Sequence, residues 1–277
     1  YFYVISNLSK DYVLDVQDEV QSCLEKRGAV CRYMTDYERM KNGRHTPGEY
    51  VPEDTQCIIT IGGDGTLIQA ARDLAGRNIP MLGINRGHLG FLNQVDRTED
   101  IDAAMDALVN ERFRLEHRMM LRGTVFHEGK PVFQDIALNE IIATSAEHLR
   151  VLRYDLAVND EYLNEYAADG VMVATPTGST AYNLSAGGPV MAPAGRMMAV
   201  TPVCSHTLNA RSIVISEEDR VKIGLLGKGL VTFDGDTSQK TGPGDYLIVE
   251  RSHMETVMVK LKQISFMQNL SNYLGNV

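Results

Sequence analysis

The 277-residue sequence has no tryptophan and only 7% aromatic residues, so a base-stacking platform or an aromatic sugar cleft would rest on few rings. Basic residues are in deficit as well. Lys and Arg number 27 against 36 Asp and Glu, a formal net charge of -9, the wrong sign for a protein that gains affinity by neutralising nucleic-acid phosphates. The four cysteines, Cys23, Cys31, Cys57 and Cys204, form no CxxC and have no histidine at zinc-ligand spacing, which predicts reduced thiols in a reducing cytoplasm. The longest charge-free stretch, residues 170–195, carries five Gly and three Pro, so no membrane-spanning helix is expected. The start lacks Met and any basic region leading to an apolar run and a cleavage site, and reads as a trimmed cytoplasmic chain. What remains, 44% hydrophobic and 23% charged residues, is ordinary globular composition. It excludes disordered and fibrous classes, leaves room for one large domain or two modest ones, and directs attention to small-molecule chemistry.

The first third alternates strand and helix patterns. The short run Tyr3-Val4-Ile5 is followed by Val13, Val16, Val20 and Leu24 at helical spacing. Cys57 to Ile61 is apolar at nearly every position, as a buried parallel strand requires. Leu67, Ile68, Ala70, Ala71 and Leu74 restore the helical period, and Ile79 to Ile84 predicts another strand. Thr98 is expected to cap a helix carrying Ile101, Ala104, Met105 and Leu108. From about Leu121 onward, short β-rich runs are separated by turns, among them Thr124 to His127, Leu152 to Val158, Ser212 to Ile215, Val221 to Leu225, Val231 to Phe233 and Tyr246 to Val249. These predict an antiparallel, sandwich-like second half. Phe266, Leu270 and Leu274 return to helical spacing and predict a last helix packing back on the first half.

Four local features carry possible chemistry. Gly62-Gly63-Asp64-Gly65-Thr66 lies between a predicted buried strand and a predicted helix, where α/β sheets bind ligands. Glycines let backbone N–H groups approach a phosphate, and the helix N-terminus adds positive potential. A carboxylate there implies a bound cation or a hydroxyl to be deprotonated; the alternative is a tight turn in which Asp64 caps the helix. Thr175 to Tyr182, TPTGSTAY, places five hydroxyl groups in eight residues. With Asn183 and Ser185 they form a donor and acceptor array suited to ribose, amide and phosphate, or a Ser/Thr-rich surface loop. Asn139-Glu140 reads as a polar pair interrupting an apolar strand from Ile136 to Ile142, pointing at a ligand or lying on a strand edge. Residues 87–92, GHLGFL, are a second ligand loop or a turn with Phe91 in the core, and His88 reads as loop structure. His117 and His206 lack a visible nucleophile partner, and Phe233 to Asp236 reads as a hairpin turn.

Taken together, these residues resemble the NAD kinase family. GGDGT at 62–66, GHLGFL at 87–92, NE at 139–140, ADG at 168–170, TPTGSTAY at 175–182, AGGP at 186–189, TPVCSHTL at 201–208 and DGD at 234–236 follow the family's order and approximate spacing. GGDGT by itself is shared with diacylglycerol and sphingosine kinases; TPTGSTAY makes the resemblance specific. It implies a Rossmann-like α/β domain with a parallel sheet over 1–115, a mostly-β sandwich NAD-binding domain over 116–255, and a C-terminal segment, 256–277, returning to the first domain. The implied reaction moves the ATP γ-phosphoryl group to the 2′-hydroxyl of the adenosine ribose of NAD, giving NADP.

The resemblance assigns Asp64 as the catalytic carboxylate and Gly62, Gly63, Gly65 and Thr66 as the phosphate loop. Asn139 and Glu140 would hold the ribose and phosphate region of NAD, Thr180, Ala181 and Tyr182 its adenine, and Asp169 the nicotinamide carboxamide, with Phe91 and Ser185 bordering the nucleotide. Mg2+ or another divalent cation is expected on the donor phosphates rather than in a protein cage. NAD and ATP are the expected partners, with no nucleic acid and no membrane, in a cytoplasmic homodimer or homotetramer. The competing readings are a GGDGT-type lipid kinase, which should show an apolar groove or a basic membrane-facing patch, and a non-catalytic dinucleotide sensor, which should have lost the carboxylate.

Overall fold

The opening apolar run forms strand β1 (Phe2–Ser6), and the stripe behind it forms helix α1 (Val13–Glu25), with Val13, Val16, Val20 and Leu24 buried along one face. The structure is a computed structural model that describes residues 1–9, 11–86, 90–147, 150–206, 210–261 and 265–275. Its chain divides into two units, one built from Tyr1–His117 with Glu255–Val277 and the other from Arg118–Met254.

In the first unit the chain continues through β2 (Cys31–Tyr33), α2 (Asp36–Asn42), β3 (Cys57–Ile61), α3 (Asp64–Asp73), β4 (Met81–Ile84) and α4 (Ile101–Val109). The strands are parallel in the order β2-β1-β3-β4, with Tyr3 opposite Ile58 and Ile59 opposite Leu82. β3 is buried at every position because helices cover both its faces. Cys57, Ile59 and Ile61 pack with α1 and α4 on one side. On the other, Gly83, opposite Thr60, lies against Leu67 of α3. Each fully buried Ile or Leu contributes about 1.5–3 kcal/mol. Thr98 does not cap α4: residues 98–100 form a 3-10 turn, and Asp100 takes the N-cap position.

The second unit is almost wholly strand. β5 (Arg114–His127) enters it from the first unit, and a turn with Glu128 and Gly129 at positive φ leads to β6 (Lys130–Ala137). There follow β7 (Glu140–Ser145), β8 (Leu152–Val158), β9 (Glu161–Ala168), β10 (Gly170–Ala174) and the short helix α5 (Tyr182–Ser185). β11 (Met197–Val203), β12 (Ile213–Ser216), β13 (Val221–Leu225), β14 (Gly229–Phe233), β15 (Thr237–Thr241) and β16 (Tyr246–Lys260) complete it. One sheet has the order β12-β11-β10-β7-β14-β15; in the other, β16-β13-β8-β9 runs beside the β5-β6 hairpin. All these pairings are antiparallel. The sheets meet face to face over a core that includes Leu121, Ile141, Tyr154, Val173, Ile223 and Phe233, the sandwich that the short alternating runs predict.

β16 leaves the second unit at residue 255, and Met258 lies parallel to Met81 in the first. The last helix, α6 (Phe266–Gly275), belongs to that unit as well. Among the described residues no helix is long and apolar enough to cross a membrane.

Candidate active site

In the first unit the glycine-rich segment joins β3 to α3 at the carboxyl end of the parallel sheet. Gly63 is the N-cap of α3 and Asp64 its first residue. Asp64 does not serve as the cap. Its carboxylate turns to the segment after β4, where it accepts backbone N–H bonds from Phe91, Leu92 and Asn93 and one from Asn93 Nδ2 at 2.5 Å. Burial raises the Asp64 pKa, while these hydrogen bonds oppose the rise. The approach is close: a Cβ on Gly90 would fall 2.6 Å from Asp64 Oδ2. Phe91 is held in turn by α6, its ring centroid 5.2 Å from that of Tyr273 and 6.3 Å from that of Phe266. Gly87, His88 and Leu89 of the expected second loop lie outside the described residues. His117 Nδ1 lies 3.2 Å from Glu255 Oε2.

In the second unit, sequence segments far apart converge on one end of the six-stranded sheet. Asn139-Glu140 does not interrupt a strand. It is the joint where the chain leaves β6 in one sheet and enters β7 in the other, so the apolar run on either side belongs to two strands. The carboxylate of Asp234, at the β14–β15 turn, accepts the backbone N–H groups of Leu138, Asn139 and Glu140 at 2.6, 2.8 and 3.0 Å. Asp234 and Gly235 both have positive φ, as the hairpin reading requires. A residue expected only to turn the chain therefore fixes the polar pair, and the 94 to 96 residues of sequence between them hide that contact.

TPTGSTAY packs onto the same joint. Thr175 Oγ1 donates to Leu138 O, and a Cβ on Gly178 would lie 2.7 Å from Asn139 Cα, so only glycine fits there. Ser179 Oγ donates to Pro176 O and accepts the Met191 N–H, and Arg118, itself buried, donates to Thr177 Oγ1. Asn183, fully buried, donates to Ser179 O and Pro189 O and accepts from Thr201. The expected hydroxyl array is thus largely turned inward: Thr175, Thr177, Ser179 and Asn183 shape the loop. Tyr182 and Ser185 are exposed, and Thr180 and Ala181 are half-buried beside them.

Two side-chain oxygens are enclosed at the joint. Asn139 Oδ1 and Glu140 Oε2 are buried without a hydrogen-bond partner among the described residues. Burial, with Asp234 nearby, pushes the Glu140 pKa up to about 8. The folded protein then holds a proton that the unfolded chain releases in the ordinary carboxylate range, so its stability falls as pH rises from that range to about 8. Glu140→Gln is expected to flatten this decline, which thermal melts across that interval would show.

Asp169 is not part of this cluster. It lies at the other end of β10, where its N–H donates to Val203 O and its carboxylate is 4.0 Å from His206 Nε2. At about 3.3 Å per residue the five residues of β10 separate it from the Thr175–Tyr182 loop by roughly 16 Å. Among the described residues no group of three or more His, Cys, Asp or Glu is arranged to hold a metal ion.

Two family models match the chain: the ATP-NAD kinase N-terminal domain over residues 3–113 and the ATP-NAD kinase C-terminal domain over residues 138–261. NAD kinase from Lachnospira eligens is 36% identical over 290 residues, covering 98% of this chain and 99% of its own. NAD kinase from Agathobacter rectalis is 36% identical over 283 residues, covering 100% and 99%. In fold, the chain is similar to yeast NADH kinase complexed with NADH, with a TM-score of 0.86 at 21% identity, covering 99% of this chain and 87% of that one. It is also similar to an NAD kinase from Archaeoglobus fulgidus in complex with ATP, with a TM-score of 0.79 at 22% identity, covering 99% and 98%.

Proposed function

Because the chain belongs to the ATP-NAD kinase family, we infer that it transfers the γ-phosphoryl group of ATP to the 2′-hydroxyl of the adenosine ribose of NAD, giving NADP. The observation that carries the reading is the joint at Asn139-Glu140, where two unpartnered buried oxygens sit against the Thr175 and Gly178 end of the loop that runs on to Tyr182. Asn139 Oδ1 can accept from a ribose hydroxyl, and the Glu140 carboxyl, protonated below about 8, can donate to one or accept from one. Tyr182 offers a flat exposed face to adenine.

Phosphoryl transfer needs positioning and charge neutralisation more than covalent chemistry. Asp64 orients the 2′-hydroxyl and takes its proton as the new P–O bond forms and the bond from the γ-phosphorus to the β,γ-bridging oxygen breaks, releasing ADP. Its raised pKa brings the carboxylate closer to the range useful to a general base. Gly63 and Gly65 offer backbone N–H groups to the donor phosphates at the start of α3, while Gly62 and Thr66, whose N–H groups go to Ile84 O and Gly63 O, line the loop. Mg2+ on those phosphates would supply charge neutralisation.

We further propose that the working form is a homo-oligomer in which Asp169 reaches the dinucleotide bound to another subunit. Its position at the far end of β10 supports this. A cytoplasmic setting is supported by the four free cysteines, of which Cys57 and Cys31 have thiol pKa values pushed by burial up to about 12 and about 11.

The test is incubation with Mg-ATP labelled at the γ-phosphate and, in turn, NAD, NADH, diacylglycerol and fructose 6-phosphate. Labelled NADP is the expected product. Labelled lipid without NADP would overturn the reading, and NAD binding without product would favour a sensor.

A further inference from the structure

The strand order β2-β1-β3-β4 contains a reversal. From β1 the chain passes through α1 to a neighbour on one side, and from β3 it passes through α3 to a neighbour on the other. Open parallel sheets bind ligands outside the carboxyl ends of the strands at such a switch point. A cavity of about 560 Å3 opens there, lined among others by Asn7, Met34, Arg44, His45, Gly65 and Thr66. That is nucleotide size. Val4, Ile5, Leu8 and Met34 give it apolar surface, and Gly63, Gly65 and Thr66 bring in the start of α3.

Among the described residues the basic side chains lining this cavity are Arg44 and His45, and His45 is held from behind. His45 Nδ1 is 3.1 Å from Asp73 Oδ1, Gln69 Nε2 donates to the same oxygen at 2.9 Å, and the Thr46 N–H donates to Asp73 Oδ2 at 2.7 Å. Asp73 is largely buried while the His45 side chain is half exposed. Gln69 Nε2 also lies 3.0 Å from Nδ1, so Nδ1 either donates to Asp73 or accepts from Gln69, and with either tautomer Nε2 is the ring nitrogen left for a ligand. The arrangement matches the carboxylate–histidine pairs that orient ligand-binding imidazoles.

We propose that His45, with Arg44, binds the phosphate oxygens of the triphosphate donor in this cavity, and that Asp73 is the positioning residue that holds the imidazole for it. In the imidazolium form both ring nitrogens donate, Nδ1 to Asp73 and Nε2 to a phosphate oxygen. Arg44 and the His45 imidazole, from one short segment and beside a loop of backbone N–H groups, let an acidic chain receive a polyanion without a basic surface. The proposal rests on the NAD kinase reading and assigns its donor side.

The test is calorimetric titration of Mg-ATP into the wild-type protein, His45→Ala and Asp73→Asn, with steady-state KM values for ATP and NAD. His45→Ala should weaken Mg-ATP binding and raise the ATP KM about ten-fold or more, as loss of a charge-assisted hydrogen bond does. The NAD KM should stay within about two-fold. Asp73→Asn should shift the same two ATP constants in the same direction by a smaller factor, and it tests the proposal where the alanine variant fails to fold. Unchanged Mg-ATP affinity in both variants would overturn it. So would equal losses for ATP and NAD alongside a lowered melting temperature. A wild-type protein that binds Mg-ATP but makes no NADP would sink the kinase reading while leaving the binding comparison to decide this one.

Discussion

Asp64→Asn is expected to lower kcat by roughly a hundred- to ten-thousand-fold, the usual contribution of a positioned general base, while the KM for NAD changes little. The substitution keeps an oxygen that can accept one of the bonds from Phe91, Leu92 and Asn93, but it turns an NH2 group toward N–H groups that donate. A buried donor left facing a donor costs about 1–3 kcal/mol, so the melting temperature should fall as well. The two effects separate through Gly90→Ala, whose added methyl would press on the Asp64 carboxylate without removing it. If displacement of the loop alone stopped turnover, Gly90→Ala would match Asp64→Asn. If the carboxylate does the chemistry, the alanine variant keeps more activity at a similar loss of stability. Turnover of Asp64→Asn within ten-fold of wild type, measured at saturating NAD and ATP, would refute its role as base.

The second large effect is expected from Asp234→Ala. One carboxylate accepts three consecutive backbone N–H groups, at Leu138, Asn139 and Glu140. Removing it leaves those donors to water or to nothing, at about 1–3 kcal/mol for each that stays buried. The joint between the two sheets should loosen, and the NAD KM should rise by at least about ten-fold, since about 1.4 kcal/mol of lost binding is already a factor of ten. Asp234→Asn, which retains an acceptor, should recover part of both losses. Both aspartate variants also remove a negative charge beside Glu140, the second cause of its raised pKa after burial, so the alkaline loss of stability should shrink with them. An NAD KM and a thermal midpoint both unchanged in Asp234→Ala would show that the clamp is idle.

The contrast between these two aspartates shows what one sequence makes legible. Asp64 stands in a compact motif between a uniformly apolar strand and a helical stripe, so its place at a sheet end could be read locally, although its bonds to residues 91–93 could not. Asp234 acts on residues 94 to 96 positions away, and no local pattern records such a contact. The same rule divides the strands. β3 and β10 are buried at every position and almost wholly apolar, and were readable, whereas β9 begins with exposed residues that include Tyr162 and Leu163 at a sheet edge, and β15 is polar throughout. Pairing with β8 and β14, rather than their own hydrophobicity, makes those two segments strands. In TPTGSTAY the residue types were right for polar recognition, but composition does not tell a hydroxyl that faces a ligand from one that, like Ser179, ties the loop to itself.

The first unit takes its material from both ends of the chain, and that bears on how a ribosome delivers it. Strand β4 has β3 on one edge but gains a neighbour on the other only when Val257, Met258 and Val259 emerge, and all three are buried there. The second unit is one unbroken segment, so its sheets can close while the first unit still shows an open edge. During synthesis the glycine-rich loop and Asp64 therefore exist for some 190 residues of elongation, ten seconds or more at about 5–20 residues per second. Throughout that interval the α/β sheet carries a parallel strand with one edge unpaired, the kind of edge that recruits chaperones or a wrong partner.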